Sequence, residues 1–319
     1  MTFTFNKNVE ILYGLSYCIN REKSKLKLYN TKEESELIDS FYKIYINNIT
    51  PEIKEKIISI GDYENLSRYA LENKTIDFLD ISIFDDYFLK LDTLSDKIIN
   101  DIKNKNGVNK INLTKLKDFY GFNLTNDIKL YLSMFISGGF GLYVNNVSNI
   151  ILGIKYNKEK SQYGVCGTAV CKIYHEFSHP YIEKIISKDY LKLKKPDKKT
   201  IECYDKFDKT EETLVRVIEL IFSSRIFGDK YLKWAIDEQN KSGFKNVEKI
   251  IKIYIDNIEN IENINDFINI LIENNLLIKG VDPIEWKINI NCLITLFATL
   301  SKKTYKISFC EIWDLAFLI

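Results

Sequence analysis

The sequence has very little histidine, since only His175 and His179 occur in 319 residues, and it has only four prolines. It also lacks a charge excess of either sign, because 45 Lys and Arg residues stand against 44 Asp and Glu residues, a formal net charge of +1. Nucleic-acid-binding proteins usually carry a basic excess or a basic face. We therefore expect no nucleic-acid partner.

Long apolar runs are missing as well, and no segment reaches the length that spans a bilayer. The first twenty residues do not follow the basic, apolar, small-residue order of a signal peptide. The cysteines are scattered through a large chain without the spacing of a disulfide framework. We expect a cytoplasmic protein with reduced thiols and no membrane partner. The cysteines are Cys18, Cys166, Cys171, Cys203, Cys292 and Cys310.

The first hundred residues follow a helical pattern. Apolar side chains recur at steps of three and four in 9–19, 34–49 and 85–105, as on one face of a helix. A polar, glycine-containing segment over 104–110 then indicates a boundary. This pattern predicts an N-terminal helical region over residues 1–107.

The middle of the chain predicts strands as well as helices. Residues 128–137 are rich in β-branched and aromatic side chains, and 142–156 has the pattern of a β-hairpin around the turn-forming NNVSN. Helical patterns follow over 164–188 and 210–227.

The resulting fold class is α+β and mainly helical. We predict a core domain over residues 108–235 and a C-terminal, mainly helical region over 236–319.

The segment HEFSH contains both histidines and has the form H-E-x-x-H. On a helix, His175 and His179 lie on the same face one turn apart, so both can bind one metal ion. Glu176 is rotated away by about 100° and can accept a proton from a metal-bound water. Pro180 follows directly and predicts a kink or an end of the helix near His179.

A catalytic zinc ion needs three protein ligands and an open position. Because there is no third histidine, the third ligand must be a carboxylate or a thiolate. We favour Glu212, which lies among apolar residues of the 210–227 helix. For Glu211 and Glu219 we expect a solvated helix face. Cys171 shares a helix face with His175, but a cysteine there is more typical of a small buried residue.

HEFSH followed by EETLVRVIE resembles the zincin metallopeptidases of the gluzincin kind. Together with VEILYGL and SGGFGLYV, it also resembles a bacterial family of domains of unknown function predicted to be zinc peptidases. The resemblance spans residues 9–227, and its specific part is H-E-x-x-H.

The resemblance implies a zincin-like core, a small β-sheet plus the HExxH helix, with helical extensions. It implies Zn²⁺ on His175, His179 and Glu212, with Glu176 as the catalytic base. Arg216 departs from the pattern, because the best-known gluzincins have there an Asp that orients a histidine. The partners that orient the histidines of this chain are therefore unassigned.

Zincins also carry a strand along the cleft, to which a substrate peptide adds as a further strand. Gly139, Phe140, Gly141 and Leu142 are in the right place and are predicted to bind substrate. A tetrahedral oxyanion also needs a hydrogen-bond donor. Its unranked candidates are Tyr163, Tyr204, Arg216 and Tyr231.

The sequence thus predicts a zinc-dependent metallopeptidase, a hydrolase that cleaves peptides or proteins through a Glu-activated, zinc-bound water. A first alternative is a non-catalytic metal-binding or sensing protein, with a closed site that includes Cys171. A second is a helical interaction protein in which HEFSH is incidental. Hydrolysis of another amide or an ester is not distinguished by sequence; the candidate strand favours peptides.

Overall fold

The structure, a computed structural model, describes residues 2–24, 31–73, 75–105, 107–121, 127–165, 167–198 and 208–280. It is α+β and mostly helical, as predicted. The strands are β1 (Phe3–Phe5), β2 (Ile128–Ser133), β3 (Gly139–Val144), β4 (Val147–Asn157), β5 (Gln162–Val165), β6 (Lys192–Leu193) and β7 (Leu277–Ile278).

The α-helices of the described residues form two groups along the chain, one before β2 and one after β5. They are α1 (Lys7–Ser24), α2 (Lys32–Asn48), α3 (Pro51–Ile60), α4 (Tyr63–Glu72), α5 (Asp85–Lys103), α6 (Leu113–Tyr120), α7 (Ala169–Asp189), α8 (Asp208–Phe227), α9 (Asp229–Lys241), α10 (Lys245–Asp256) and α11 (Ile264–Glu273).

Five strands form one mixed sheet in the order β1-β2-β4-β3, with β5 paired to the later part of β4. The pairs β1–β2 and β2–β4 are parallel, whereas β3 and β5 run antiparallel to β4. The first strand belongs to the predicted N-terminal region, yet Phe3 pairs with Leu130 in the central part of the chain. The boundaries of the three predicted regions stay predictions.

The hairpin predicted around NNVSN is confirmed. It closes between β3 and β4 on Asn145 and Asn146, whose φ angles are 51° and 62°. Two successive residues with positive φ give the turn whose twist matches that of the flanking strands. The structure differs from the prediction upstream of α7, because residues 164 and 165 belong to β5 and the helix starts only at Ala169.

Helices cover both faces of the sheet. On one side α7 packs against β3 and β4. On the other side Tyr13 of α1 contacts Phe140 of β3 with a ring-centroid distance of 6.4 Å. One continuous core joins the sheet to the N-terminal helices through a cluster of rings with centroids 4.8–6.0 Å apart, formed by Phe41, Phe84, Tyr87 and Phe135.

Helix α7 passes through Pro180 and ends only at Asp189, so of the two predicted outcomes an end near His179 is wrong, whereas a kink there stays a prediction. Proline lacks the N–H that would bond to the carbonyl of Glu176 four residues earlier. That carbonyl instead faces β3, where an ideal Cβ on Gly141 would lie 1.4 Å from its oxygen. The helix can therefore continue because its unpaired carbonyl lies against a glycine backbone, a geometry that suits a weak Cα–H···O contact.

Gly141→Ala tests this close approach. We expect a loss of about 1–3 kcal/mol in the free energy of unfolding, because the added methyl group must displace α7 or β3. Gly164→Ala is the matched control, since the nearest atom to its Cβ would be Lys105 Cε at 3.5 Å, an ordinary contact. Urea denaturation measures both. Equal stability of the two variants would contradict the tight packing of α7 on β3.

None of the helices in the described ranges has the length and apolar composition needed to cross a membrane. Among the described residues, Cys18 and Cys171 are buried cysteines that are not part of a disulfide. The other four cysteines, Tyr204 and residues 281–319 of the predicted C-terminal region lie outside the described residues. The described part of that region consists mainly of helices α10 and α11 and the end of α9.

Candidate metal centre

Helices α7 and α8 pack against each other and bring His175, His179 and Glu212 together. Glu212 Oε2 lies 3.7 Å from His175 Nε2 and 3.8 Å from His179 Nε2. One ligand atom from each residue lies within 4.8 Å of the other two. The structure thus places the three predicted ligands around one point.

The local sequence explains this placement. His175 and His179 are one turn apart on α7, so their rings stand side by side with centroids 4.9 Å apart. Helix α8 packs against α7 and has several fully buried residues just after Glu212, within the next two turns. These buried residues are Leu214, Val215, Val217 and Ile218.

The Nδ1 atom of each histidine also contacts a carboxylate. His175 Nδ1 lies 2.9 Å from Glu219 Oε2, and His179 Nδ1 lies 2.6 Å from Glu211 Oε1. A carboxylate can only accept a hydrogen bond, so Nδ1 carries the hydrogen and donates this bond. The lone pair of Nε2 is then directed at Glu212. The expectation that Glu211 and Glu219 are solvated is wrong, because both side chains are largely buried in these contacts.

Glu212 is oriented by Arg216, one turn later on α8. The guanidinium lies 2.5 Å from Glu212 Oε1, which leaves Oε2 to face the two imidazoles. Arg216 itself is positioned by Gln239 at 3.3 Å and by the ring of Phe244, 4.1 Å away. Burial raises the pKa of Glu212, but charge on His175, Arg216 and His179 and the hydrogen bond from Arg216 together outweigh burial and hold that pKa below its usual value.

One feature of the sequence pointed to part of this arrangement. Glu212, Arg216 and Glu219 are spaced by four and three residues, so they lie on one face of α8. Glu211 is about 100° away from Glu212 around the helix axis and reaches His179 from the side. No periodicity distinguishes such a position from a solvated one.

The centre carries an excess of negative charge. Glu176, Glu211, Glu212 and Glu219 provide four carboxylates, whereas Lys172 and Arg216 provide two cations. With neutral imidazoles, two negative charges are therefore left in excess in a mostly buried site. Burying unpaired charge is costly, and a divalent cation among the three ligand atoms would neutralise it.

The neighbouring carboxylates also affect the pKa of His179. Burial lowers the pKa of His179, but the hydrogen bond to Glu211 and the nearby charge of Glu176 outweigh burial and raise it. The lone pairs of two Nε2 atoms and one carboxylate oxygen converge. A positive charge between them, either a proton or a metal ion, would relieve their mutual repulsion.

Glu176 lies beside the three ligand residues, between α7 and β3. It is 4% exposed. Its Oε1 is 3.5 Å from Lys172 Nζ, and it would lie 2.8 Å from a Cβ placed on Gly139. The absence of a side chain at Gly139 therefore leaves the space that this carboxylate occupies.

Strand β3 is an edge strand in the described part of the sheet. Gly153 N donates to Gly138 O, and the register then alternates, so Phe140 and Leu142 exchange backbone hydrogen bonds with β4. The backbone N–H and C=O groups of Gly139 and Gly141 consequently point to the free edge, while the Cα atoms of these two residues face Glu176 on α7. The Phe140 and Leu142 side chains face the opposite side of the sheet from α7, where Phe140 contacts Tyr13.

The predicted oxyanion donors have other contacts. Tyr163 packs on Tyr156 with Lys97 5.6 Å from its ring centre. Tyr231 has its hydroxyl 2.7 Å from Cys171 Sγ, and Arg216 is bound to Glu212.

Cys171 is not part of the group of possible metal ligands found among the described residues. Burial raises the pKa of its thiol, and the charge of Glu219 raises it further. Both effects disfavour the thiolate that would bind a metal.

Comparison of the chain with protein-family models, with curated proteins and with solved structures gave no match. Inference about function therefore depends on the residues of this chain and on their geometry.

Proposed function

We propose that this protein is a zinc-dependent metallopeptidase with a zincin-like core formed by α7, α8 and the sheet that includes β3. One observation carries the proposal. Two imidazole Nε2 atoms and Glu212 Oε2 converge, each ligand is oriented from behind by a charged residue, and Glu176 lies alongside.

The donor set suits zinc. Catalytic zinc sites use three nitrogen, oxygen or sulfur ligands from the protein in tetrahedral geometry and keep one position open. Tetrahedral zinc with ligands at about 2.0–2.1 Å would separate its ligand atoms by about 3.3 Å. The separations of 3.7 and 3.8 Å between Glu212 Oε2 and the histidine nitrogens, and the upper limit of 4.8 Å for all three pairs, would have to shorten on binding.

Zinc, when bound, would supply a Lewis acid that polarises a carbonyl oxygen and makes water more acidic. His175, His179 and Glu212 would hold it, while Glu211, Glu219 and Arg216 keep their orientation. Glu176 would accept the proton of the attacking water and deliver it to the amide nitrogen as the C–N bond breaks. Burial of the centre excludes bulk water and so strengthens these charge interactions.

The free edge of β3 favours a peptide substrate over another amide or an ester. An extended peptide can add to an exposed strand edge through main-chain hydrogen bonds. The outward backbone groups on this edge belong to Gly139 and Gly141, the two residues whose α7-facing side contacts Glu176. A peptide paired there would pass the general base.

Low exposure favours a second candidate, a metal-binding protein without catalysis. His175, Glu176 and Glu212 are only 4–7% exposed, and structural metal sites are typically closed to solvent. The two candidates differ in the role of Glu176, which only the peptidase requires.

Both candidate functions require a bound metal, so the metal content of the purified protein tests them together. We expect about one zinc per chain in protein purified without chelators, by elemental analysis, and a loss in Glu212→Gln, because an amide oxygen is a weaker ligand than a carboxylate. Glu273→Gln, the same change on an exposed position of α11, is the matched control. Wild-type protein that holds no metal and binds none on titration would refute the metal site and the peptidase with it.

A further inference from the structure

Lys172 is a cation at the candidate active site to which the proposed mechanism assigns no role. It lies in the first turn of α7, four residues before Glu176, and its Nζ is 3.5 Å from Glu176 Oε1. The Lys172 side chain is 30% exposed, whereas that of Glu176 is 5% exposed. An ammonium has three donors, and this contact uses one.

The other cation of the centre is differently placed. Arg216 lies 2.5 Å from the ligand Glu212 and rests on the ring of Phe244. Arg216 thus orients Glu212, a proposed metal ligand. Lys172 instead contacts Glu176 and is partly exposed, so a substrate group can reach it from solvent.

Helix α7 and strand β3 run in the same direction. This shared direction determines which end of β3 is nearer to Lys172. Glu176 contacts the Gly139 position. Tyr181, further along α7, bonds at 2.5 Å to Ser148, beside the hairpin end of β3. Lys172, which precedes Glu176 by one turn, therefore lies toward the beginning of β3.

A peptide added to β3 in antiparallel orientation would run from the hairpin end toward Gly139. Antiparallel pairs are slightly more stable per residue than parallel pairs. The C-terminal part of such a peptide would then leave the site beside Lys172. The positive end of the α7 dipole lies on the same side and adds to the attraction for an anion.

We propose that Lys172 binds the free C-terminal carboxylate of the substrate, so that the site removes one or two residues from a peptide C-terminus. This inference rests on the proposed peptidase function. A residue spans about 3.3–3.6 Å, so a carboxylate one or two residues beyond the scissile bond comes within reach of an ammonium 3.5 Å from the general base. Lys172 takes no part in the proton transfer: water adds to the carbonyl carbon, Glu176 accepts the water proton, and the amide nitrogen leaves with that proton.

Binding of a phosphinic pseudo-tripeptide to the zinc-loaded protein tests the role of Lys172 without catalysis. The probe is compared with its C-terminal amide by isothermal titration calorimetry. For wild type we expect the free acid to bind about tenfold more tightly, a difference of about 1.4 kcal/mol. Lys172→Met should reduce the ratio below about threefold by weakening the acid alone, and Lys172→Arg should preserve it.

Lys188→Met is the matched control, because it removes the same charge from an exposed position of the same helix, four turns away. It should keep the tenfold preference. Equal affinities of acid and amide in wild type, an undiminished preference in Lys172→Met, or no binding of either probe would each overturn the inference.

Hydrolysis of one peptide with a free and with an amidated C-terminus, followed by mass spectrometry, separates the two proposals. Cleavage of both forms at equal rates would overturn the role of Lys172 and retain the peptidase. A Lys172-dependent preference in binding, without cleavage of any peptide, would overturn the peptidase and retain a carboxylate-binding metal site.

Discussion

Glu176→Gln is expected to lower kcat for peptide hydrolysis by about 10²–10⁴-fold, the usual contribution of a general acid–base. Glutamine has the same shape, and its carbonyl oxygen can keep the contact with Lys172, but it cannot accept the proton of the attacking water. Glu176 is not among the residues whose ligand atoms converge. The zinc content of this variant should therefore stay near that of wild type.

The informative result is this combination of retained zinc and lost turnover. Glu273→Gln, the exposed control on α11, should keep wild-type kcat and zinc. If Glu176→Gln retained kcat within about threefold, Glu176 would not be the base, since general bases contribute far more. If it lost its zinc, Glu176 would act as a metal ligand, and the assignment of Glu212 as the third ligand would need revision.

Removal of the metal should produce the largest loss of stability. Four carboxylates and two cations surround the three ligand atoms, so the metal-free site buries uncompensated negative charge. A ligand that binds only the folded state at a thousand times its Kd stabilises by about 4.1 kcal/mol. We expect a difference of about that size between protein in such an excess of free zinc and protein in chelator, measured by urea denaturation.

His175→Ala provides the control for this experiment. It removes one ligand, so zinc and chelator should give the same unfolding curve for this variant within about 0.5 kcal/mol, the usual scatter for changes without a specific mechanism. A wild-type protein whose stability does not respond to zinc would contradict the metal site. In that case a proton on His179, whose pKa is raised by the hydrogen bond to Glu211 against the opposing effect of burial, would offset part of the negative charge.

The hydrophobic pattern predicted much of the fold because each element repeats a local rule. The helical spacing in 34–49 and 85–105 and the hairpin over 142–156 are found as α2, α5 and β3–β4. The start of α7 was placed too early, because Gly164 and Val165 pair with β4, and pairing with a distant strand leaves no local signal. The same limit applies to β1, whose partner is more than a hundred residues away.

Pro180 shows how tertiary structure can override a local rule. A proline inside a helix removes a hydrogen bond, and from sequence alone an end or a kink near His179 was the reasonable expectation. The structure places Gly141 against the freed carbonyl of Glu176, and the helix continues to Asp189. The compensating contact comes from another element, so the helix sequence does not contain it.

The sequence by itself determined which chemistry is available: two histidines one turn apart, a glutamate between them, and no third histidine. Helical periodicity follows from the chain, and so does the sharing of one face by His175 and His179. Only the tertiary structure decided that Glu212 faces both imidazoles, that Glu211 and Glu219 bond their Nδ1 atoms, and that Glu176 lies against Gly139 of β3. These relations depend on how α7, α8 and β3 pack, and packing between elements distant in sequence is set by the whole core.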